Sequence, residues 1–170
     1  RQAIERYRDK HQGSVLRAAS RLFAGLTLHS FEGLKAEYND KGDAELVGVR
    51  PDGKTVEVSG LSDGTRDQLY LALRLASLET YSSRPDSEPV PFLVDDVLLN
   101  FDDDRAAAAL RALADLSRRT QVIFFTHHRR LVELAREHLD ADTLFVHDLD
   151  CRAPAIICTR LPTAVFSRIV

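Results

Sequence analysis

What most constrains the fold of this chain is a rhythm in its second half, where short apolar runs alternate with helical stretches. Phe92 to Val94, Gln121 to Phe125 and Thr143 to Val146 are each too short for a helix and carry apolar residues at successive positions. Between them, Asp103 to Arg118 and Arg129 to His138 space their apolar residues at helical intervals. Strands that are apolar on both faces and alternate with helices predict parallel βαβ units. The chain is therefore expected to be α/β, a parallel sheet with flanking helices.

The first half reads differently. From Gln2 to about Ala24, Ile4, Tyr7, Val15, Ala18, Ala19, Leu22 and Phe23 recur at roughly helical spacing among charged residues, which predicts one long amphipathic helix. Gly13 lies inside it at a cost of about 1 kcal/mol relative to alanine, and marks a place for a kink or for the end of an incoming arm. Leu34 to Tyr38, Ala44 to Val49 and Thr55 to Ser59 alternate as strands around turns at 39–42 and Pro51-Asp52-Gly53, a small antiparallel meander. Thr65 to Tyr81 is rich in Leu and Ala on nearly every face and predicts a buried helix; Ser82 to Pro91, with its prolines, predicts a loop. The tail from Cys151 to Val170 offers one candidate strand, Ala155 to Cys158.

Composition is that of a globular domain, 44% hydrophobic and 29% charged. A net charge of −3 gives no overall basic surface for nucleic acid or an anionic membrane. Cys151 and Cys158 lack both the paired spacing of a zinc site and the number a disulfide framework needs, and read as reduced cytosolic thiols. No apolar run approaches the ~20 residues of a membrane span, so a soluble cytoplasmic protein with no membrane partner is expected. The lack of methionine and the opening in mid-helix pattern at Arg1 lead to the expectation of a longer polypeptide upstream.

Four clusters carry the polar chemistry. Leu61-Ser62-Asp63-Gly64-Thr65-Arg66-Asp67-Gln68 feeds a polar, glycine-bearing turn into the Leu/Ala-rich helix, a start that offers amides and a positive dipole end to an anion. Its plainer reading is a capped core helix, with Ser62 or Thr65 as the cap. Phe92-Leu93-Val94-Asp95-Asp96 delivers two carboxylates at the end of a strand, where open α/β sheets bind ligands. One carboxylate there can hold Mg²⁺ while the other polarises a water. Asn100-Phe101-Asp102-Asp103-Asp104-Arg105 reads first as an acidic helix N-terminus meeting the macrodipole. Phe124-Phe125-Thr126-His127-His128 brings an imidazole to the end of the next strand.

In this order and at these intervals the four clusters resemble the signature motif, Walker B motif, D-loop and switch histidine of ABC ATPases. The resemblance is to the SMC, RecF and RecN branch, and within it to the bacterial YhaN type, and it spans about Gly60 to Val146. It implies the C-terminal portion of an ABC-type head of the P-loop NTPase fold: residues 1–27 as the end of a coiled-coil arm, 28–150 as the half-head and 151–170 as a tail. It implies ATP and Mg²⁺ as cofactors, with Ser62, Gly64 and Thr65 at the nucleotide phosphates, Asp95 at Mg²⁺, Asp96 as catalytic carboxylate, Asp102 as D-loop aspartate and His127 as switch histidine. The implied partners are an upstream P-loop half of the same protein, a second head in a homodimer or head-to-head pair, and DNA, in DNA repair or chromosome maintenance. Two departures stand out: Asp63 where the common signature has glycine, and Asp96 where glutamate is usual.

One motif match is rejected. Gly48-Val49-Arg50-Pro51-Asp52-Gly53-Lys54-Thr55 satisfies the P-loop pattern G-x-x-x-x-G-K-S/T letter for letter. That pattern cradles phosphate only between a strand and a helix, whereas Thr55-Val56-Glu57-Val58 alternates as a strand and Pro51-Asp52-Gly53 reads as a hairpin turn. Two rival functions remain open from sequence. One is a metal-dependent phosphoesterase or nuclease with Asp95, Asp96, Asp102 and His127 as ligands; the other is a dimerisation or scaffold module of ABC shape that no longer hydrolyses.

Overall fold

The structure, a computed structural model, describes residues 2–38, 44–147 and 155–159, with side chains for 13–38 and 44–147. It divides into two compact units, residues 1–83 and 84–170.

In the first unit, helix α1 (Gln2–Leu26) runs unbroken through Gly13. It packs against helix α2 (Asp63–Ser82) and strand β1 (Gly33–Tyr38). The core between them holds Leu22, Phe23, Leu26, Leu69, Ala72, Leu75 and Ala76, all buried. Each of the larger side chains contributes about 1.5–3 kcal/mol by leaving water. Strands β1, β2 (Ala44–Val49) and β3 (Thr55–Glu57) form the expected antiparallel meander in that order. The third strand stops two residues before the sequence pattern does, because Val58–Gly60 turns into a 3-10 helix that brings buried Leu61 into the core ahead of α2.

Ser20 ties this meander to α1. Its Oγ accepts a hydrogen bond from the Leu34 amide at 2.9 Å, just after Gly33. Gly33 has φ +158, and a Cβ on it would collide with Ser20 Oγ, so a side chain there must turn that hydroxyl away from the Leu34 amide.

In the second unit, strand β4 (Phe92–Asp95), helix α3 (Asp103–Ser117), strand β5 (Val122–Thr126), helix α4 (Arg129–His138) and strand β6 (Leu144–His147) alternate as the sequence predicts. β4 and β5 pair in parallel, from Phe92 opposite Val122 to Asp95 opposite Phe125. The sheet is not purely parallel, however. Its order is β4-β5-β7-β6, and β7 (Ala155–Thr159) is antiparallel to both its neighbours. Since β5 and β6 both oppose β7, they run parallel to each other, with the tail strand between them. An unpaired β5 edge would leave a row of amides and carbonyls for any passing chain; the candidate strand of the tail takes that edge.

Burial also departs from the sequence reading. Val94, Val122, Phe124 and Thr126 are buried, while Leu93 is 56% exposed and Ile123 and Phe125 are only half-buried. The register puts Leu93 level with Ile123 and Asp95 level with Phe125, so within this unit one face of the pair is covered and the other is open. Apolar runs of this kind report that both faces are greasy, not that both are covered.

Beyond β4 the backbone turns at Asp96, which has φ +44. An L-residue there costs about 1–2 kcal/mol against the right-handed region.

Two stability tests follow from this geometry. Gly33→Ala should lower stability by about 1–3 kcal/mol, and by less in a Ser20→Ala background where the colliding oxygen is gone; equal losses in urea titrations of both backgrounds would mean that Ser20 is not the obstacle. Asp96→Gly should be more stable than Asp96→Ala by about 1 kcal/mol, read from the same titrations; an advantage for alanine would contradict the left-handed turn.

Candidate functional site

The site in the second unit is built by the parallel ladder. Phe92 donates its amide to Gln121 O at 2.7 Å as the pair begins, and Asp96 donates its own to Phe125 O at 3.0 Å as it ends. The two strand ends are thereby level, and the residues just past them, Asp96 and His127, become neighbours although 31 positions apart. His127 Nδ1 lies 2.6 Å from Asp96 Oδ2, within hydrogen-bond distance. The other carboxylate oxygen, Asp96 Oδ1, is buried without a partner among the described residues. Asp95, one residue earlier, is exposed on the open face of the sheet.

The left-handed turn explains why two adjacent aspartates do different things. In a continuing strand Asp95 and Asp96 would point to opposite faces. Bending the chain at Asp96 instead brings its carboxylate over the end of β5, beside His127.

The acidic run that follows divides its work. Asp102 caps α3, accepting from the Arg105 amide at 2.9 Å through one oxygen and from Arg105 Nη1 at 3.1 Å through the other. Asp103 is engaged by Arg130 of α4, whose Nε and Nη2 approach one carboxylate oxygen at 3.0 and 2.7 Å. The Asp103 carboxylate beside it, with Glu133 adding to the effect, holds the Arg130 guanidinium above its usual pKa. This pair is solvent-exposed and so adds little stability, but it joins the start of α3 to the start of α4, the two helices that leave the site.

In the first unit, Ser62 caps α2: its Oγ accepts from the Thr65 amide at 3.3 Å and lies 2.8 Å from Thr65 Oγ1. The capped-helix reading of this segment therefore holds geometrically, and Ser62 and Thr65 are joined. Asp63, the departure from the usual signature, has its carboxylate 2.9 Å from Arg66 Nη2, back along the helix. Its charge is thus partly offset by a neighbour one turn away.

The P-loop look-alike is a hairpin. Gly48 and Val49 lie in β2, Gly53 turns at φ +80 with its amide on Arg50 O at 2.9 Å, and Arg50 donates to Lys54 O at 2.8 Å. Lys54 binds Asp52 at 2.7 Å, and its hydrogen bond holds the Asp52 carboxyl below the ordinary carboxylate range. No helix follows; β3 does.

Two participants escape the sequence reading. His128, the second histidine of the doublet, has its ring 3.9 Å from that of His127, and its Nε2 is buried without a partner among the described residues. Asp96, His127 and His128 each place a ligand atom within 4.8 Å of the others. The Asp103–Arg130 pair was equally hidden. The adjacency of the two histidines was the available signal for the first; nothing local signals the second, which spans 27 positions.

No helix among the described residues is long and apolar enough to cross a membrane. No family model matches the chain. It is 30% identical over 132 residues, 77% of its length, to the uncharacterized protein YhaN of Bacillus subtilis, of which it spans 13%. Among solved structures it is similar to an SMC ATPase studied for ATP-driven dimerisation and DNA-stimulated activation (TM-score 0.59, 16% identity, covering 92% of this chain and 89% of that one). It also matches the SMC head domain from Thermotoga maritima (TM-score 0.53, 25% identity, 89% and 48%). A third match is the Smc head domain from Pyrococcus furiosus bound to the C-terminal domain of ScpA (TM-score 0.58, 16% identity, 87% and 35%). The chain thus has the α/β fold of the SMC ATPase head, a P-loop NTPase fold, and a sequence relative in the bacterial protein YhaN.

Proposed function

We propose that this chain is the signature and Walker B half of an SMC-like ATPase head, binding and hydrolysing ATP together with an upstream P-loop half of the same protein and a second, facing head. The observation that carries the reading is the Asp96–His127 contact at 2.6 Å, held at the level ends of two parallel strands beyond a strained turn. A left-handed aspartate is costly for folding alone, and its position suits a base that takes a proton from an attacking water. His127 orients that carboxylate through one oxygen and leaves Oδ1 for the water. The orphaned, buried Oδ1 is the feature of this site that fits such a ligand.

The remaining roles follow the same reading. Asp95, exposed beside Asp96, would hold Mg²⁺, which when bound neutralises phosphate charge. Ser62, Gly64 and Thr65 at the start of α2 would meet the phosphates of a nucleotide carried by the facing head, with the dipole end favouring the anion. The Asp63–Arg66 pair supports this despite the extra carboxylate, because the charge is drawn back along the helix. Asp102 serves the D-loop by capping α3 and fixing the loop between β4 and α3. α1 would be the returning end of a coiled-coil arm, so that head engagement is transmitted along it. DNA repair or chromosome maintenance is the process we propose, on the company of SMC heads; DNA and a ScpA-like subunit are the partners it brings.

The rival metallo-phosphoesterase reading needs Asp102 as a ligand, and both its oxygens are engaged by Arg105. The scaffold reading is separated by turnover. In the complete protein, Asp96→Asn should reduce ATP hydrolysis by about 100-fold or more while Mg-ATP binding persists; unchanged hydrolysis would remove Asp96 from the role. Absence of hydrolysis in the parent would leave the scaffold as the function. The present chain alone should bind Mg-ATP weakly in calorimetry and identically after Lys54→Ala, whereas tight binding lost with Lys54 would make the hairpin a working P-loop.

A further inference from the structure

The doublet His127-His128 is more than a switch histidine and its neighbour. We infer that Asp96, His127 and His128 form a binding site for a transition-metal dication of the zinc class, one that shares Asp96 with the hydrolytic machinery and competes with it.

Three observations carry this. The ligand atoms of the three side chains lie within 4.8 Å of one another. Two of the polar atoms in the group, Asp96 Oδ1 and His128 Nε2, are buried and meet no partner among the described residues, and a buried polar atom left unpaired is costly. The backbone, finally, holds the group in place. Asp96 is fixed by its amide on Phe125 O at 3.0 Å, and His128 by its amide on Thr126 Oγ1 at 3.1 Å, with Thr126 itself fully buried.

The chemistry of the donors selects the ion. Two imidazoles and one carboxylate are a borderline-soft set that suits Zn²⁺, Co²⁺ or Ni²⁺, whereas Mg²⁺ takes oxygen ligands and keeps its waters. At bonds of ~2.0–2.2 Å the ligand atoms of a tetrahedral zinc stand roughly 3.4 Å apart. Ligand atoms at the 4.8 Å limit therefore need to close by about 1.4 Å, a movement on the scale of rotation about side-chain bonds. Three protein ligands leave a fourth position for water. The ion would take Asp96 and His127 out of their mutual contact, so a metal-loaded site would lack its base. That last consequence rests on the proposed hydrolytic role; the binding itself does not.

The test uses Co²⁺ as a spectroscopic probe on this chain with Cys151→Ser and Cys158→Ser, which removes the thiols as ligands. Expected is a visible d–d band of tetrahedral intensity that saturates at one equivalent, is displaced by Zn²⁺ and is untouched by excess Mg²⁺. His128→Ala should weaken Co²⁺ binding at least tenfold, and His138→Ala, at the far end of α4, should leave it unchanged. Thermal unfolding of the same thiol-free chain supplies a second readout: Zn²⁺ should raise its Tm, and Mg²⁺ at the same concentration should not. No band, or a band and Tm shift indifferent to His128, would overturn the site. Loss of Zn²⁺ inhibition of ATP hydrolysis with binding intact would instead count against the role given to Asp96.

Discussion

The hydrogen bond from the Asp96 amide to Phe125 O is the hinge of the second unit's chemistry. It carries the parallel ladder one residue past β4 and so sets the height at which the chain may turn. Everything polar at that sheet edge is placed relative to it. Asp96 lies beyond the bond, His127 beyond the partner strand, and the left-handed turn aims the carboxylate across the gap between them. Had the ladder stopped at Asp95, the two groups would have no common reference. The loop to α3 is fixed in turn by fully buried Leu98 and by the Asp102 cap, and α3 and α4 are joined where they start by Asp103 and Arg130.

Much of this was legible in the residues, because the signals are local. Helical spacing locates α1, α3 and α4, Leu/Ala richness locates α2, and the short apolar runs locate β4, β5 and β6. The rejection of the P-loop pattern rested on alternation after Thr55, which is a property of a few adjacent residues, and β3 lies there. The features that were not legible depend on what lies opposite. Exposure of Leu93 depends on the absence of a covering layer among the described residues of its unit, which its own side chain cannot report. The antiparallel position of β7 depends on which edge is left open once β4 and β5 have paired. The early end of β3 depends on Leu61 being drawn into the core. At the site, the sequence puts Asp96 and His127 at strand ends, but only the register makes the ends level, and nothing in the doublet itself tells that the His128 ring lies against that of His127.

The two departures from the common ABC pattern have different physical weights. Asp63 is an added charge at the start of α2, and Arg66, 2.9 Å away, offsets it within one turn. Asp96 is one methylene shorter than the usual glutamate, a difference that only backbone placement can offset. The positive φ is such a placement: it moves the whole residue, where a glutamate could reach with its side chain. The energetic cost of the turn is then part of how a short carboxylate stays at the right place.

The position of β7 has a consequence in time as well as space. Among the described strands, β6 meets the rest of its sheet only through β7, the strand that comes last in the chain. A polypeptide emerging from the ribosome makes β4, β5 and β6 before the strand that joins them, so the sheet cannot close until that last segment has been synthesised. Its pairings with β5 reach from Val122–Thr126 to Ala155–Thr159, and such distant contacts pay loop-closure entropy before they return any stability. Within this chain the β5 edge has no strand beside it on that side until then, and an open edge of this kind is one that other strands can join.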